Sequence, residues 1–170
     1  GLGSLKESKD TFLRALERVK SNNRLGFYNQ FLYNNLGIMF KDEGDFYKAE
    51  TYYFKALNEA NNNDRAIAIC QNNLMEVYLL TEQYDKALVS HKKSLDHWLK
   101  LKDPNSAEIG KSYLNLAQIY EKLKDFDRAL IENAKAKRIL LSDKSDNARL
   151  LLARVFTTEG RIYGAISIPD

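Results

Sequence analysis

The sequence predicts an all-α fold, an α-solenoid built from antiparallel helix hairpins. The 170 residues include only two prolines and eight glycines, so few residues interrupt helices. One eight-residue string occurs three times, as YNNLGIMF at 33–40, QNNLMEVY at 71–78 and YLNLAQIY at 113–120. A second string follows each copy at a fixed distance, and this is the arrangement expected of repeated helical hairpins.

The first string has the spacing of an amphipathic helix. Its fourth residue is Leu and its eighth residue is aromatic in all three copies. In the first copy, Tyr33, Leu36 and Phe40 fall at i, i+3 and i+7, which places them on one side of a helix. We expect this side to pack into the core of a hairpin.

The second string predicts the other helix of each hairpin. Its copies are FYKAETYYFKAL at 46–57, YDKALVSHKKSL at 84–95 and FDRALIENAKAK at 126–137. The distance from the repeated Leu to the first Ala of the second string is always 13 residues: Leu36 to Ala49, Leu74 to Ala87, and Leu116 to Ala129. The copies themselves begin 38 and 42 residues apart, so the hairpin is fixed and the connections vary.

The turn within each hairpin carries its own signals. In KDEGDF at 41–46, Gly44 is placed to end the first helix and Asp45 to cap the second. LTEQYD at 80–85 and KLKDFD at 122–127 occupy the same turn without Gly. We therefore expect that this turn does not require a positive φ.

The repeats predict a single domain over 5–165. Complete repeats are expected at 29–62, 67–101 and 109–142, with an unpaired helix at 5–22 and another at 146–165. LKESKDTFLRAL at 5–16 fits only the end of the second string, and FTTEGRIY at 156–163 has Glu159 in place of the repeated Leu. GLGS at 1–4 is typical of a cloning scar, and 166–170 are expected to form a frayed tail. Unpaired helices at both ends predict either a fragment of a longer protein or end helices that cap themselves.

The composition argues against several functional classes. The net charge is +3 and the basic residues are scattered, so no nucleic-acid partner is predicted. No apolar run approaches the ~18 residues of a membrane-spanning helix, and we expect no membrane insertion and a cytoplasmic location. There is no glycine-rich phosphate loop, nucleophile motif or paired-carboxylate motif, so no enzyme activity, cofactor or metal site is predicted.

A few residues could suggest an active site. His91 and His97 are about 240° apart around a helix, so they do not share a face. His91 stands at an aromatic position of the second string and is expected in the core. Cys70, the only cysteine, cannot form an internal disulfide and is also expected to be buried. Trp98 is expected to pack between adjacent units.

These strings resemble the tetratricopeptide repeat. The family carries an aromatic, Leu, a small residue and an aromatic on its first helix, then Ala, an aromatic and Ala on its second; the first unit matches with Tyr33, Leu36, Gly37, Phe40, Ala49, Tyr53 and Ala56. The departures, which suggest looser packing in the second and third units, are Met75, His91, Ser94 and Asn133. The resemblance implies a right-handed superhelix whose first helices line a concave groove. The long period is similar to that of kinesin light chains and Rap-type peptide-sensing regulators.

A polar amide precedes the repeated Leu in all three units, at Asn35, Asn73 and Asn115, and Thr158 takes the equivalent place in the fourth. A carboxamide both donates and accepts hydrogen bonds, so amides one unit apart could hold the backbone of an extended partner. Alternatively, Asn tolerates exposure there or bonds to the neighbouring unit. The full predicted peptide-binding set lies on the concave face of the first helices and consists of Asn34, Asn35, Ile38, Asn72, Asn73, Glu76, Lys111, Asn115, Gln118, Arg154, Thr158 and Arg161.

The predicted function is a non-catalytic scaffold that binds a protein or peptide segment in the concave groove. The face is apolar and amide-rich at one end and cationic at the other, so a partner with hydrophobic residues followed by acidic ones would match it. Two alternatives remain at this point. The chain could be the sensing or coupling segment of a larger, bacterial regulatory protein, or a structural scaffold that forms oligomers through its exposed end helices.

Overall fold

The computed structural model describes residues 10–18, 28–101 and 106–167. Residues 10–18 are helical and are called α1. Seven further helices follow: α2 (Asn29–Asp42), α3 (Phe46–Asn58), α4 (Asp64–Leu80), α5 (Tyr84–Leu99), α6 (Ser106–Lys122), α7 (Phe126–Ser142) and α8 (Asp146–Ser167). No strand occurs in these three stretches, and the predicted all-α class is confirmed.

The helices pair in the order that the repeat spacing predicts. Turns of three residues join α2 to α3, α4 to α5 and α6 to α7, and the helices of each pair pack closely together. The second helix of each pair also packs against the first helix of the next unit, as α3 does on α4, α5 on α6 and α7 on α8. The predicted α-solenoid of helix hairpins is confirmed. We call α2, α4, α6 and α8 the first helices, and α3, α5 and α7 the second helices.

The residues that define the two strings form the core. The repeated leucines Leu36, Leu74 and Leu116 are all buried, and the first alanines of the second string, Ala49, Ala87 and Ala129, have no exposed surface. Burying one Leu side chain contributes roughly 1.5–3 kcal/mol, whereas Ala lets two helix backbones approach. The repeated pattern is therefore a packing pattern, as its helical spacing predicts.

Gly37 allows an especially close approach between α2 and α3. A Cβ atom at this position would lie 2.5 Å from Cε1 of Tyr53, which is fully buried. The second and third units replace this glycine–tyrosine pair with Met75 and His91, and with Ala117 and Asn133, and all four residues are buried. The departures from the family pattern therefore do not open these positions to solvent.

The expectation that the hairpin turn needs no positive φ is wrong. Gly44 has a φ of 80°, and the residues that take its place in the next two turns, Glu82 and Lys124, both have a φ of 58°. In all three turns the following backbone N–H reaches back five residues, as Asp45 N does to Phe40 O over 2.9 Å. This helix-ending hydrogen bond requires a left-handed residue, whatever its side chain.

Two of the three turns also cap the next helix. Asp45 accepts a hydrogen bond from Lys48 N at 3.1 Å, and Asp125 accepts one from Arg128 N at 3.1 Å. The cap predicted at Asp45 is confirmed. Gln83 occupies the same place before α5 but makes no side-chain cap, and its amide donates to Thr81 Oγ1 instead.

Trp98 joins the second and third hairpins. It is buried in a cluster with Ala68 of α4 and Ile109 of α6, so the predicted packing between units is confirmed. At the end of the chain, α8 continues to Ser167, two residues beyond the expected boundary. The proposed scar at 1–4, the flanks of the helix expected at 5–22 and the final residues 168–170 lie outside the described residues.

Candidate protein-binding groove

The first helices of the first two hairpins are joined by polar side chains. Asn73 Nδ2 on α4 donates to Asn34 Oδ1 on α2 over 2.9 Å. Three residues further along α4, Glu76 forms an ion pair with Lys41 of α2 at 2.7 Å. These two contacts bridge the space between α2 and α4.

The interval between α6 and α8 is closed in a similar way. Arg161 donates through two nitrogens to the two carboxylate oxygens of Glu121, each at 2.8 Å. Gln118 Nε2 donates to Thr158 Oγ1 at 3.4 Å, and its Oε1 accepts from Arg154 at 3.5 Å. Arg161 is therefore largely neutralised by its partner.

The interval between α4 and α6 is different. It is bridged at its centre by a hydrogen bond from Asn115 Nδ2 to Asn72 Oδ1 at 3.2 Å. A cavity of about 310 Å³ lies on one side of this bond, lined by Arg65, Ile69, Asn72, Asn73, Trp98, Glu108 and Lys111. A cavity of about 460 Å³ lies on the other side, lined by Leu79, Leu80, Glu82, Tyr84, Gln118, Glu121, Lys122 and Arg161.

The predicted ladder of amides does not form in the expected way. Asn35 donates to Phe31 O of its own helix at 2.8 Å. Asn73 and Asn115 donate to the preceding unit, which was the alternative interpretation of the repeat. Asn115 is only 4% exposed and Thr158 is fully buried, so these two side chains are contacts between repeats rather than an accessible surface.

The other predicted site residues fall into two groups. Asn34 is buried and accepts hydrogen bonds from Asn73 and from the Cys70 thiol, while Ile38 packs partly against the core. The cavities between α4 and α6 bring together Asn72, Asn73, Lys111, Gln118 and Arg161. Glu76 is held by Lys41 and accepts from Asn72 Nδ2 at 3.3 Å. Arg154 is exposed on α8.

The sequence-based set omitted several residues that line the cavities. The guanidinium of Arg65 lies 5.8 Å from the centre of the Trp98 ring and forms one wall with it. Arg65 precedes Ile69 by four residues and Asn72 by seven, so it lies on the same face of the helix. Extending the predicted face by two turns toward the start of α4 would have found it.

The two residues that could suggest an active site, His91 and Cys70, are both buried in the core. His91 is fully buried, and burial lowers its pKa to about 4 because the charged imidazolium loses its hydration. Burial likewise raises the pKa of the Cys70 thiol to about 11. Both residues are packed in the core, as predicted. His97 instead contacts Asp64 at 2.6 Å, between the end of α5 and the start of α4.

The described residues contain neither a metal-binding cluster nor a membrane-spanning helix. No group of three or more His, Cys, Asp or Glu side chains there is arranged to hold a metal ion. Over the same residues, none of the helices combines the length and the apolar character needed to cross a membrane.

A solved structure with the same architecture is the crystal structure of BtubC (BKLC) from P. vanneervenii. The two chains share 26% sequence identity and superpose with a TM-score of 0.75. The match covers 82% of this chain and 58% of BtubC, so the present chain spans little more than half the length of that protein. No curated protein matches the sequence.

Family models match most of the repeated part of the chain. Two tetratricopeptide repeat models match residues 32–63 and 66–142, which include most of the three hairpins. Repeats of this type generally mediate protein–protein interactions, and their family is typically a non-catalytic scaffold. With the helical hairpin solenoid already described, these matches show that the chain belongs to the tetratricopeptide repeat family.

Proposed function

We propose that this chain holds an extended segment of a protein partner along its first helices, across the interval between α4 and α6. The observation that carries the proposal is the pair of cavities flanking the Asn115–Asn72 hydrogen bond. Side-chain contacts close the neighbouring intervals, whereas this one has room for partner side chains on both sides of its bridge. The two cavities, of about 310 and 460 Å³, lie in the lower half of the ~300–1,000 Å³ range of ligand sites.

Amides at the groove can bond to a peptide backbone. Asn73 uses its Nδ2 to bind Asn34, but its Oδ1 accepts no hydrogen bond from the described residues. That oxygen can accept a backbone N–H from an extended partner. Gln118, whose contacts to α8 are long at 3.4 and 3.5 Å, can exchange them for bonds to the partner. Backbone recognition therefore rests on Asn73 and Gln118 rather than on a ladder of three asparagines.

Apolar and charged side chains supply the specificity. Ile69 and Leu80 of α4 are exposed on this face and suit hydrophobic partner residues. Lys111 of α6 lines the first cavity and forms no ion pair within the described part of the chain. An acidic partner residue near Lys111 would be favoured. The effect is short-ranged because salt screens exposed charges beyond ~8 Å.

The proposal can be tested with peptides selected from a random library displayed on phage. Selection uses the wild-type chain, and the affinity of each selected peptide is then measured for Ile69→Glu and for the matched variant Ile131→Glu. Both isoleucines are exposed, but Ile131 lies on α7, away from the first helices. We expect Ile69→Glu to weaken binding at least tenfold and Ile131→Glu to change it less than twofold. The reverse order would overturn the proposal.

Self-assembly is a second candidate, favoured by one face of α8. Phe156, Gly160 and Tyr163 occupy the positions of Tyr33, Gly37 and Phe40 in the first unit. In α2 the equivalent face is covered by α3, whereas Phe156 and Tyr163 are 51% and 54% exposed and a Cβ at Gly160 would meet nothing within 4 Å. A second copy of the chain could cover this face.

Light scattering over a concentration series tests this candidate. The mass of the wild-type chain is expected to rise with concentration, and Tyr163→Asp is expected to keep it monomeric. A wild-type chain that stays monomeric throughout the series would remove self-assembly as a function.

A further inference from the structure

A separate groove lies on the other side of α4, between the second helices α3 and α5. It has a volume of about 310 Å³, with Phe54 and Val89 on its walls and Leu74 and Tyr78 at its floor. The two floor residues are buried, whereas Phe54 and Val89 are 47% and 53% exposed. Because Leu74 and Tyr78 point away from the helix face that carries Ile69 and Asn72, this groove is independent of the proposed peptide-binding groove.

The next hairpin shows what can fill such a groove. Gln71, Ser90 and Lys93 line the groove, and their equivalents 42 residues further along are Tyr113, Glu132 and Lys135. There, Lys135 Nζ lies 5.5 Å from the centre of the Tyr113 ring and forms an ion pair with Glu132 at 2.9 Å. One repeat along, the chain itself therefore supplies an aromatic ring and a carboxylate to the lysine.

Both groups are missing around Lys93. Gln71 replaces the aromatic residue and Ser90 replaces the acidic one, which leaves the groove open. Lys93 is exposed and forms no ion pair with any described residue. The other charges nearby are engaged or lie at the opposite end. Lys86 is 5.4 Å from the Tyr78 ring with Asp85 beside it in sequence, and Glu50 accepts a hydrogen bond from Tyr78 Oη at 2.5 Å.

We propose that this groove docks a protein segment in which an aromatic residue lies next to an acidic one. The partner's ring packs on Leu74 between Phe54 and Val89, and its carboxylate pairs with Lys93. The partner thus supplies the two groups that Tyr113 and Glu132 supply in the next unit. A chain that holds one segment on its first helices and another between its second helices brings two partners together.

The test uses short synthetic peptides in which a central Phe is flanked by Glu residues. The matched peptides replace Glu with Gln or replace Phe with Gly. Binding to the wild-type chain is measured by fluorescence anisotropy, and we expect the Phe–Glu peptide to bind at least tenfold more tightly than either control. Equal binding of all three peptides, or no binding, would overturn the proposal.

Three variants locate the binding site. Lys93→Glu is expected to weaken binding of the Phe–Glu peptide at least tenfold, and Lys92→Glu, which changes the same charge outside the groove, less than twofold. The double variant Gln71→Tyr with Ser90→Glu reproduces the filled groove of the next unit and is expected to abolish binding while the chain stays folded by circular dichroism. Equal losses for Lys92→Glu and Lys93→Glu would contradict the proposal, as would full binding by the double variant. Ile69→Glu should leave this binding unchanged, so the two proposals fail independently.

Discussion

At the scale of single residues, His91 is a titratable side chain buried in the core. It stands where the family pattern has an aromatic residue, it is fully buried, and neither ring nitrogen finds a hydrogen-bond partner in the described structure. An unsatisfied buried polar group costs about 1–3 kcal/mol. His91 therefore fills the space of an aromatic ring at a cost in stability.

The burial of His91 predicts a pH-dependent stability. Its pKa is about 4 in the folded chain, against ~6.5 for an unperturbed histidine, so the unfolded state binds the extra proton between these values. The contribution of neutral His91 is complete above pH 6.5 and is lost as the pH falls toward 4, by roughly 1.4 kcal/mol per unit of pKa difference. Urea unfolding from pH 7 to pH 4 measures this loss.

His91→Phe is the matched variant for that measurement. It should lose less stability than the wild-type chain between pH 6.5 and 4, and should be the more stable of the two at pH 5. Parallel pH curves for the two chains would show that His91 is not the titrating group.

Two glycines make a second comparison at this scale. Gly37→Ala would place a Cβ 2.5 Å from the buried Tyr53 ring, and overpacking of this kind costs about 1–3 kcal/mol. Gly160 has open space around it in α8, so Gly160→Ala should stabilise the helix by about 0.5–1 kcal/mol. Denaturant unfolding of both variants checks the opposite signs. A stabilising Gly37→Ala would contradict the close approach of α2 and α3.

At the scale of helices and turns, the positive φ values of Glu82 and Lys124 predict that replacing either residue with glycine stabilises the chain. A residue other than glycine pays roughly 1–2 kcal/mol in the left-handed region. Lys124→Gly should therefore raise the free energy of unfolding by about 1 kcal/mol, and Gly44→Ala should lower it by a similar amount. Thermal unfolding of the two variants measures this difference. Destabilisation by Lys124→Gly would show that the third turn is not left-handed.

The first turn of α5 lacks a side-chain cap. Asp45 and Asp125 each accept a backbone N–H in the first turn of the following helix, whereas Gln83 does not. Gln83→Asp should add this hydrogen bond and stabilise the chain by about 0.5–2 kcal/mol. Asp125→Gln is the control and should destabilise by a comparable amount. An unchanged midpoint of urea unfolding for both would contradict the capping account.

At the scale of the whole molecule, the spacing of the repeats predicted the hairpins because a turn of constant length gives a constant distance between matching residues. The positive φ at Glu82 and Lys124 could not be predicted from the sequence, since neither residue type favours that conformation. Helical spacing placed Lys111 and Gln118 on the same face of α6, where each lines one of the two cavities. The hydrogen bonds from Asn73 to Asn34 and from Asn115 to Asn72 depend on how neighbouring hairpins are aligned. This alignment could not be predicted because the connections between hairpins vary in length.

The most direct test of the groove between α4 and α6 is an NMR titration of the isotopically labelled chain with a library-selected peptide. The account predicts that amide signals of Ile69, Asn73, Lys111 and Gln118 shift together and saturate at one dissociation constant. Shifts confined to α3 and α5, with the α4 and α6 face unchanged, would contradict the claim that the first helices hold the partner.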